Sequence, residues 1–499
     1  MRFADLVDVG RRVAATGSRI AKTALLAEVI SRLEDDELEP GVWFLAGGIR
    51  QGRLGVGFSG AYGVEAPPAA EPSLTVSEVD RMLGELPSVS GPGSQAERAR
   101  RLTELLGRAT LEEQDLVRRL LTGGVRQGAL EAIVVEAVAA ASGAAVDLVR
   151  RAVMLTGDVG RAAAVARFQG ISGLESVRLQ PMIPIRPMLA ASASGVGDAV
   201  DGEVAVEWKL DGARIQVHRH AGRVRVFTRN LNDVTDRMPE VVREVAGLDV
   251  SSVVLDGEAL ALRPDGTPQP FQETMSRFGT ESTTDQPVLH PYFFDLLEHD
   301  GTTLIDLPLD RRQARLDAVV PKGLRVPRLL TDDPDSAERF LRAALDAGQE
   351  GVVVKRLDSV YEAGRRGAAW RKVKPVHTYD LVVLAAEWGH GRRQGRLSNI
   401  HLGARDGDGF TMVGKTFKGM TDAMLEWQTE RFLALEERRT RSTVYLRPEQ
   451  VAQVAIDGVQ ASSRYSGGVA LRFARVVRYR DDKPAGEADT LAGLRELLR

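Results

Sequence analysis

Three prolines, Pro181, Pro184 and Pro187, stand in the short stretch LQPMIPIRPMLA, and no helix can run through them. Each lacks a backbone N–H and turns the residue before it towards extended geometry, so an extended connector is predicted over 179–190. The hydrophobic pattern changes across it. On the N-terminal side, ALLAEVISRL, ARRLTELLGRA, LEEQDLVRRLL and LEAIVVEAVAAAS repeat apolar residues at three- and four-residue spacing, which predicts an all-α domain over 1–178. On the C-terminal side, VAVEWKLDG, ARIQVHRHAGRVRVFTR, SVVLDGEALAL, YFFDLL and GVVVKRL are short, β-branched and bounded by turn residues. With helices near 306–319 and 335–347 between them, they predict an α+β domain over 191–377. From 378 to 499, YDLVVLAAEWG, NIHLGARD, FTMVGKTF and VALRFARVVRYRDD read as strands and TDAMLEWQTERFLALEE as a helix. That pattern fits a small β-barrel of the OB type.

Local signals refine this multidomain reading. Thr110 with Glu113 and Ser94 with Glu97 have capping-box spacing and predict two helix starts. The Pro-rich stretch 66–93 predicts a mobile loop around a short helix. In RFARVVRYRDDK, basic and apolar residues alternate, as in one half-buried strand with a cationic face.

Composition excludes several chemistries. The chain has no cysteine, so disulfides, thiol catalysis and Cys-rich zinc sites are ruled out. With seven histidines against 69 carboxylates, Mg²⁺ is the expected metal. No run approaches the roughly 18 apolar residues of a membrane span, and the N-terminus lacks a signal peptide's apolar stretch. A cytoplasmic protein is expected, without a membrane partner. The net charge of −3 does not decide about nucleic acid, which binds local patches. Only nine of the 66 basic residues are lysine, so lysine is kept where a deprotonatable amine is needed and arginine will not serve. Five of the nine are Lys209, Lys355, Lys372, Lys374 and Lys483, all in the segments described next.

The segment EWKLDGARIQVH puts Lys209 at a strand end, before an Asp-Gly turn. Residues two apart on a strand share a face, so Glu207 and Lys209 can meet one ligand. A lysine amine is a nucleophile only when deprotonated, a form that neighbouring cations favour. Taken alone the K-x-D-G pattern is weak and also fits a solvated hairpin turn. Downstream, in order, come TRN at 228–230, LDGEA at 255–259, YFFDL at 292–296, EGVVVK at 350–355, WRKVK at 370–374 and RFARVVRYRDDK at 472–483.

From about 185 to the end, this series resembles in order and spacing the motifs of the covalent nucleotidyltransferases. Glu207 and the A-R-x-Q continuation of the lysine motif look like the ATP-dependent DNA ligase family. The resemblance implies that Lys209 attacks the α-phosphorus of ATP to give a lysyl-AMP, which then passes to the 5′-phosphate of a nick in duplex DNA. It implies further that Glu207 meets the adenine amine, that Phe294 stacks on the base and that Arg214 and Arg229 clamp sugar and phosphates. Glu258 and Glu350 would hold ribose and Mg²⁺, a hard cation that takes carboxylate oxygens. Lys372 and Lys374 would face the phosphates, with Arg366 and Lys355 as further phosphate contacts. In the family the barrel turns towards ATP for the first step and towards DNA afterwards. Its terminal R-x-D-K pattern is matched loosely by Arg478, Arg480, Asp482 and Lys483, with Asp481 also available.

Rival readings fit less well. A capping guanylyltransferase or an RNA ligase leaves the long helical region unexplained, and an NAD-dependent ligase carries a cysteine zinc module. A dead scaffold would not keep Lys209, Glu258, Glu350 and Lys372. A monomer is expected, and no segment points to a protein partner. One repeat lies outside these motifs: Gly47-Gly48-Ile49-Arg50-Gln51-Gly52 returns as Gly123-Gly124-Val125-Arg126-Gln127-Gly128. Two glycine turns suggest two helical halves about an approximate twofold, with Arg50 and Arg126 gripping opposite strands of DNA without reading bases. Ordinary helix-capping turns are the alternative.

Overall fold

The computed structural model describes residues 1–52, 54–123, 130–277 and 287–498. Ten helices among the described residues, from Phe3–Ala15 to Val159–Ser176, bury one apolar core that includes Phe3, Leu26, Leu83, Leu102 and Val134. The predicted box at Thr110 forms: Thr110 Oγ1 accepts from the Glu113 N–H and the Glu113 carboxylate accepts from the Thr110 N–H. The one predicted at Ser94 does not. Ser94 is the first helical residue, and the cap is Gly93, whose φ of 83° a residue with a side chain rarely adopts. In the Pro-rich stretch, Thr75 and Glu78 form a capping box that starts the helix Val76–Gly84.

The proline connector is fastened rather than loose. Gln216 accepts from the Ile185 N–H at 2.9 Å and donates to the Ile185 carbonyl at 3.2 Å. His218 Nδ1 accepts from the Met182 N–H at 3.0 Å. Burial pushes the His218 imidazole down to about 3, so it stays neutral and able to accept.

Ten strands follow: β1 (Leu189–Ser192), β2 (Val204–Lys209), β3 (Ala213–His220), β4 (Arg223–Thr228), β5 (Ser252–Ala261), β6 (Leu289–His299), β7 (Thr302–Thr303), β8 (Arg328–Thr331), β9 (Gly351–Arg356) and β10 (Arg366–Val373). They form two sheets, ordered β1-β10-β9-β2-β8 and β4-β3-β5-β6-β7. Helices Leu309–Val319 and Pro334–Asp346 match the two predicted for this region. Helix Arg151 pairs with Asp306 at 2.6 Å, and so ties the helical region to the sheets.

The C-terminal region is strand-rich: β11 (His377–Trp388), β12 (Leu397–Asp406), β13 (Gly409–Thr416), β14 (Glu436–Arg439), β15 (Thr443–Leu446), β16 (Val451–Ile456), β17 (Gly458–Ala461), β18 (Val469–Arg472) and β19 (Arg475–Arg480), with helix Asp422–Ala434 between β13 and β14. A seven-stranded sheet centred on β11 bends around Leu381, Val383, Leu402, Phe432 and Val454. The terminal segment is not the single strand that its alternation predicts. It breaks at Phe473, which has a φ of 54°, and β18 pairs with β17 while β19 pairs with β16.

Candidate active site

The lysine motif is no hairpin turn. β2 lies in one sheet and β3 in the other, so Leu210-Asp211-Gly212 is the crossing between them. A Cβ on Gly212 would lie 2.5 Å from the Ala259 carbonyl and 2.9 Å from Glu258 Cγ. Only glycine therefore lets the crossing pass this close to β5. On the other wall, Gly351 has a φ of 147°, and a Cβ there would lie 2.3 Å from the Val373 carbonyl. These two close approaches bring Lys209, Glu258 and Glu350 around one cleft of about 620 Å³ between the sheets.

The cleft is lined by Glu207, Lys209, Arg214, Arg229, Glu258, Phe294, Glu350, Arg366, Lys372 and Lys374, the residues singled out for it in the sequence. Lys209 donates to Glu350 Oε2, and the Glu350 N–H donates to the Lys209 carbonyl at 3.0 Å. Burial alone would raise the Glu350 carboxyl, but the Lys209 ammonium and its hydrogen bond hold it below its ordinary value. Glu258 goes the other way: burial raises it to about 7 against the pull of Lys209 and Arg214. The Lys372 amine is pushed down, first by burial and then by Lys374, Lys209 and Arg366. Arg229 and Arg366 are exposed, at the rim.

The neighbours of several of these residues add to the sequence reading. Lys355 does not wait at the phosphate end. It is 2% exposed, with its ammonium 2.5 Å from Glu207 and 4.5 and 4.2 Å from the rings of Phe294 and Trp370. It forms the floor beneath the aromatic end of the cleft. Glu207 already holds two partners there, Lys355 and the Gln313 amide at 2.8 Å. Arg214 is itself clamped, giving Nε and Nη2 to Asp256 at 2.8 and 2.6 Å. None of Arg478, Arg480, Asp481, Asp482 and Lys483 lines the cleft. Arg480 and Lys483 meet Asp380 at 3.0 and 2.8 Å instead, and Asp481 accepts from Gln450 at 2.9 Å.

Sequence reasoning missed the residues that dock the C-terminal region on the cleft. Arg472 holds Asp211 at 2.7 and 3.1 Å and reaches Glu350 at 3.5 Å, and Lys374 pairs with Asp457 at 2.5 Å. Exposed Phe473 follows, with the ammonium groups of Lys374 and Lys418 5.8 and 5.5 Å from its ring. Arg472 stood in a segment already singled out, but reading that segment as one strand hid the break that turns it to the cleft. Asp457 carries no local signal. In the helical region, Arg50 gives Nε to Asp80 at 2.9 and 3.1 Å, Gln51 joins it at 2.7 Å, and 44% of the Arg50 side chain stays exposed. Arg126 lies outside the described residues.

A strand-end lysine facing a carboxylate in a cleft walled by two sheets, with cations and an aromatic floor around it, defines the nucleotidyl-transferring class of enzymes. Residues 187–374 match the family described as ATP dependent DNA ligase domain, 393–483 its C-terminal region and 61–139 the DNA ligase N terminus. The chain is 52% identical over 503 residues to the protein named Probable DNA ligase of Rhodococcus jostii (strain RHA1), with 100% of both chains covered. It is 53% identical over 499 residues to the one so named of Saccharopolyspora erythraea, covering 99% of this chain and 98% of that one. The solved structure Pmar-Lig_PreS3 shares the fold, with a TM-score of 0.63 at 18% identity over 95% of this chain and 99% of that one. The chain belongs to the ATP-dependent DNA ligase family. Among the described residues, no helix is long and apolar enough to cross a membrane.

Proposed function

We propose that the chain seals nicks in duplex DNA in three steps, the first two of which pass through Lys209. The Lys209 amine forms a bond to the α-phosphorus of ATP as the bond to pyrophosphate breaks, and the amine gives up its proton. The 5′-phosphate of the nick then takes the AMP and frees the lysine. The 3′-hydroxyl attacks that phosphate, and AMP leaves. Glu207 and Lys355 offer an acceptor and a donor to the base, Phe294 a stacking face, and Arg214 and Arg229 contacts to sugar and phosphates. Lys372, Lys374 and Arg366 stabilise charge on the phosphates.

The donor set suits Mg²⁺. Glu258 and Glu350 supply two carboxylates, one from each wall of the cleft, and no cluster of three or more acidic or histidine ligands occurs among the described residues. Mg²⁺ commonly takes one or two carboxylates and completes its shell with substrate phosphates and water. When bound, it would neutralise phosphate charge and compete with Lys209 for Glu350.

Three folding units serve this cycle: a DNA-binding helical domain over 1–178, an adenylation domain over 191–377 and an OB-type barrel over 378–499, with 179–190 as the link. Arg50 and Arg126, at matching positions of the glycine-rich repeat, hold the DNA backbone. The enzyme works as a cytoplasmic monomer.

The observation that carries this reading is Lys209 held by Glu350 inside the cleft. Lys209→Ala is expected to stop the sealing of ordinary nicks, while nicks already adenylated are still sealed because the lysine has no covalent role left. Labelled AMP is expected on the wild-type chain from ATP and not from GTP. Substantial self-adenylation by Lys209→Ala overturns the assignment.

A further inference from the structure

Behind the cleft wall lies a closed ring of hydrogen bonds. The Tyr361 hydroxyl donates to Asp256 Oδ2 at 2.6 Å and accepts from the Met188 N–H at 3.0 Å. Asp256 takes Nε and Nη2 of Arg214 at 2.8 and 2.6 Å, and Arg214 Nη2 also reaches the Met188 carbonyl at 3.1 Å. Asp256 is fully buried, so its oxygens rely on these partners. Among the described residues, only Nη1 of Arg214 takes no part in the ring, on the side chain whose guanidinium carbon lies 4.8 Å from the Phe294 ring at the cleft.

Tyr361 is the fixed point of this ring. It is 2% exposed, its ring meets Trp370 edge-on at 5.9 Å, and its N–H donates to the Ile305 carbonyl at 2.8 Å. Burial and the neighbouring Asp256 raise the hydroxyl well above its ordinary value, so it remains a donor at any working pH. Asp256 and Glu258 stand two apart on β5, and the side chain hung on Tyr361 therefore neighbours the carboxylate that faces Lys209.

We propose that Tyr361 is a positioning residue for nucleotide binding: through Asp256 its hydroxyl sets the guanidinium of Arg214 at the height where Nη1 meets the ribose or α-phosphate. The proposal rests on the reading of Arg214 as a nucleotide contact. Arginine has many rotamers, and an unanchored one loses that freedom each time ATP binds. A ring that fixes the side chain beforehand removes this cost. The effect falls on binding in ground and transition states alike, so it shows in KM rather than kcat.

Tyr361→Phe deletes one oxygen and keeps the ring. We expect it to raise the KM for ATP in self-adenylation by about tenfold and to leave kcat within about twofold. Arg214→Ala is expected to raise KM further, and the double variant to be no worse than Arg214→Ala alone, because both changes remove one device. Thermal melting of each variant reports folding separately. A Tyr361→Phe enzyme that melts lower but keeps its KM has lost a structural contact only, and the proposal fails. It fails too if the two changes add in full. If Arg214→Ala itself leaves KM unchanged, the reading of Arg214 falls and the proposal falls with it. An elevated KM in Arg214→Ala beside a normal one in Tyr361→Phe sinks the proposal alone.

Discussion

The helical region and the nucleotide cleft both pair cations with carboxylates, but over different distances and in different media. In the helix Ser94–Arg108, Glu97 takes Arg100 and Arg101 at 2.8 Å, one turn away on an exposed face. These bonds draw the Glu97 carboxyl down to about 2, yet Arg100 is exposed and Glu97 and Arg101 stay partly open to water and salt. In the cleft, Lys209 and Glu350 stand 141 residues apart, and Arg472 and Asp211 stand 261 apart. There the partners are half-buried and drawn from the ends of neighbouring strands of one sheet, as Lys209 and Glu350 are, or from different regions, as Arg472 and Asp211 are. Local exposed pairs follow from helix spacing and decorate a surface. Distant pairs in a shared cleft require the fold to assemble them, and there the environment shifts titration enough to matter for chemistry.

The sharpest way to test this contrast is pH. Glu258 is raised from 4.5 to about 7 chiefly by burial, so folding favours its neutral form. The stability it contributes is complete below about 4.5 and is lost as pH rises through about 7, levelling off above. The loss at pH 8 is about 3 kcal/mol at most, because the carboxylate keeps some surface open to the cleft. Glu258→Gln is therefore expected to melt higher than wild type at pH 8 and to flatten the melting profile between pH 5 and 8, as thermal melts across that range would show. A wild-type profile that is flat over that window would break the contrast. Arg100→Ala, on the exposed helix face, is expected to leave both melting and activity unchanged.

A smaller effect is expected at Arg50, which lies between the two classes: its guanidinium is half-exposed and its partner Asp80 is buried. Arg50→Ala should lower the melting temperature, since a buried carboxylate is left with fewer donors. It should also weaken nicked-DNA binding about equally for all sequences and flatten its salt dependence, with self-adenylation normal. Titrations of nicked DNA at several salt concentrations decide this. Unchanged affinity and salt slope would make the glycine turn a structural element alone.

The same contrast explains what the sequence could tell. Lys209, Glu258, Glu350, Lys372 and Lys374 were legible because the order and spacing of their motifs resemble a known series. The motif EGVVVK put Lys355 in the series but gave no sign of its depth, so a residue on the cleft floor was read as a phosphate contact. The break at Phe473 was invisible, because a positive φ at a residue other than glycine leaves no mark in composition. The cap falls on Gly93 rather than Ser94 because the chain turns left-handed just before the helix, a conformation that glycine takes most readily. The Gln313 contact to Glu207 and the Asp457 contact to Lys374 have no local pattern at all.

The most direct test of the account is to find where AMP is carried. The chain is incubated with ATP and Mg²⁺, digested, and its peptides are analysed by mass spectrometry. One AMP is expected on the peptide that contains Lys209, and none on Lys209→Ala or Lys209→Arg, since arginine stays protonated near neutrality. AMP on another residue of the wild-type chain, with Lys209 unmodified, would contradict the account.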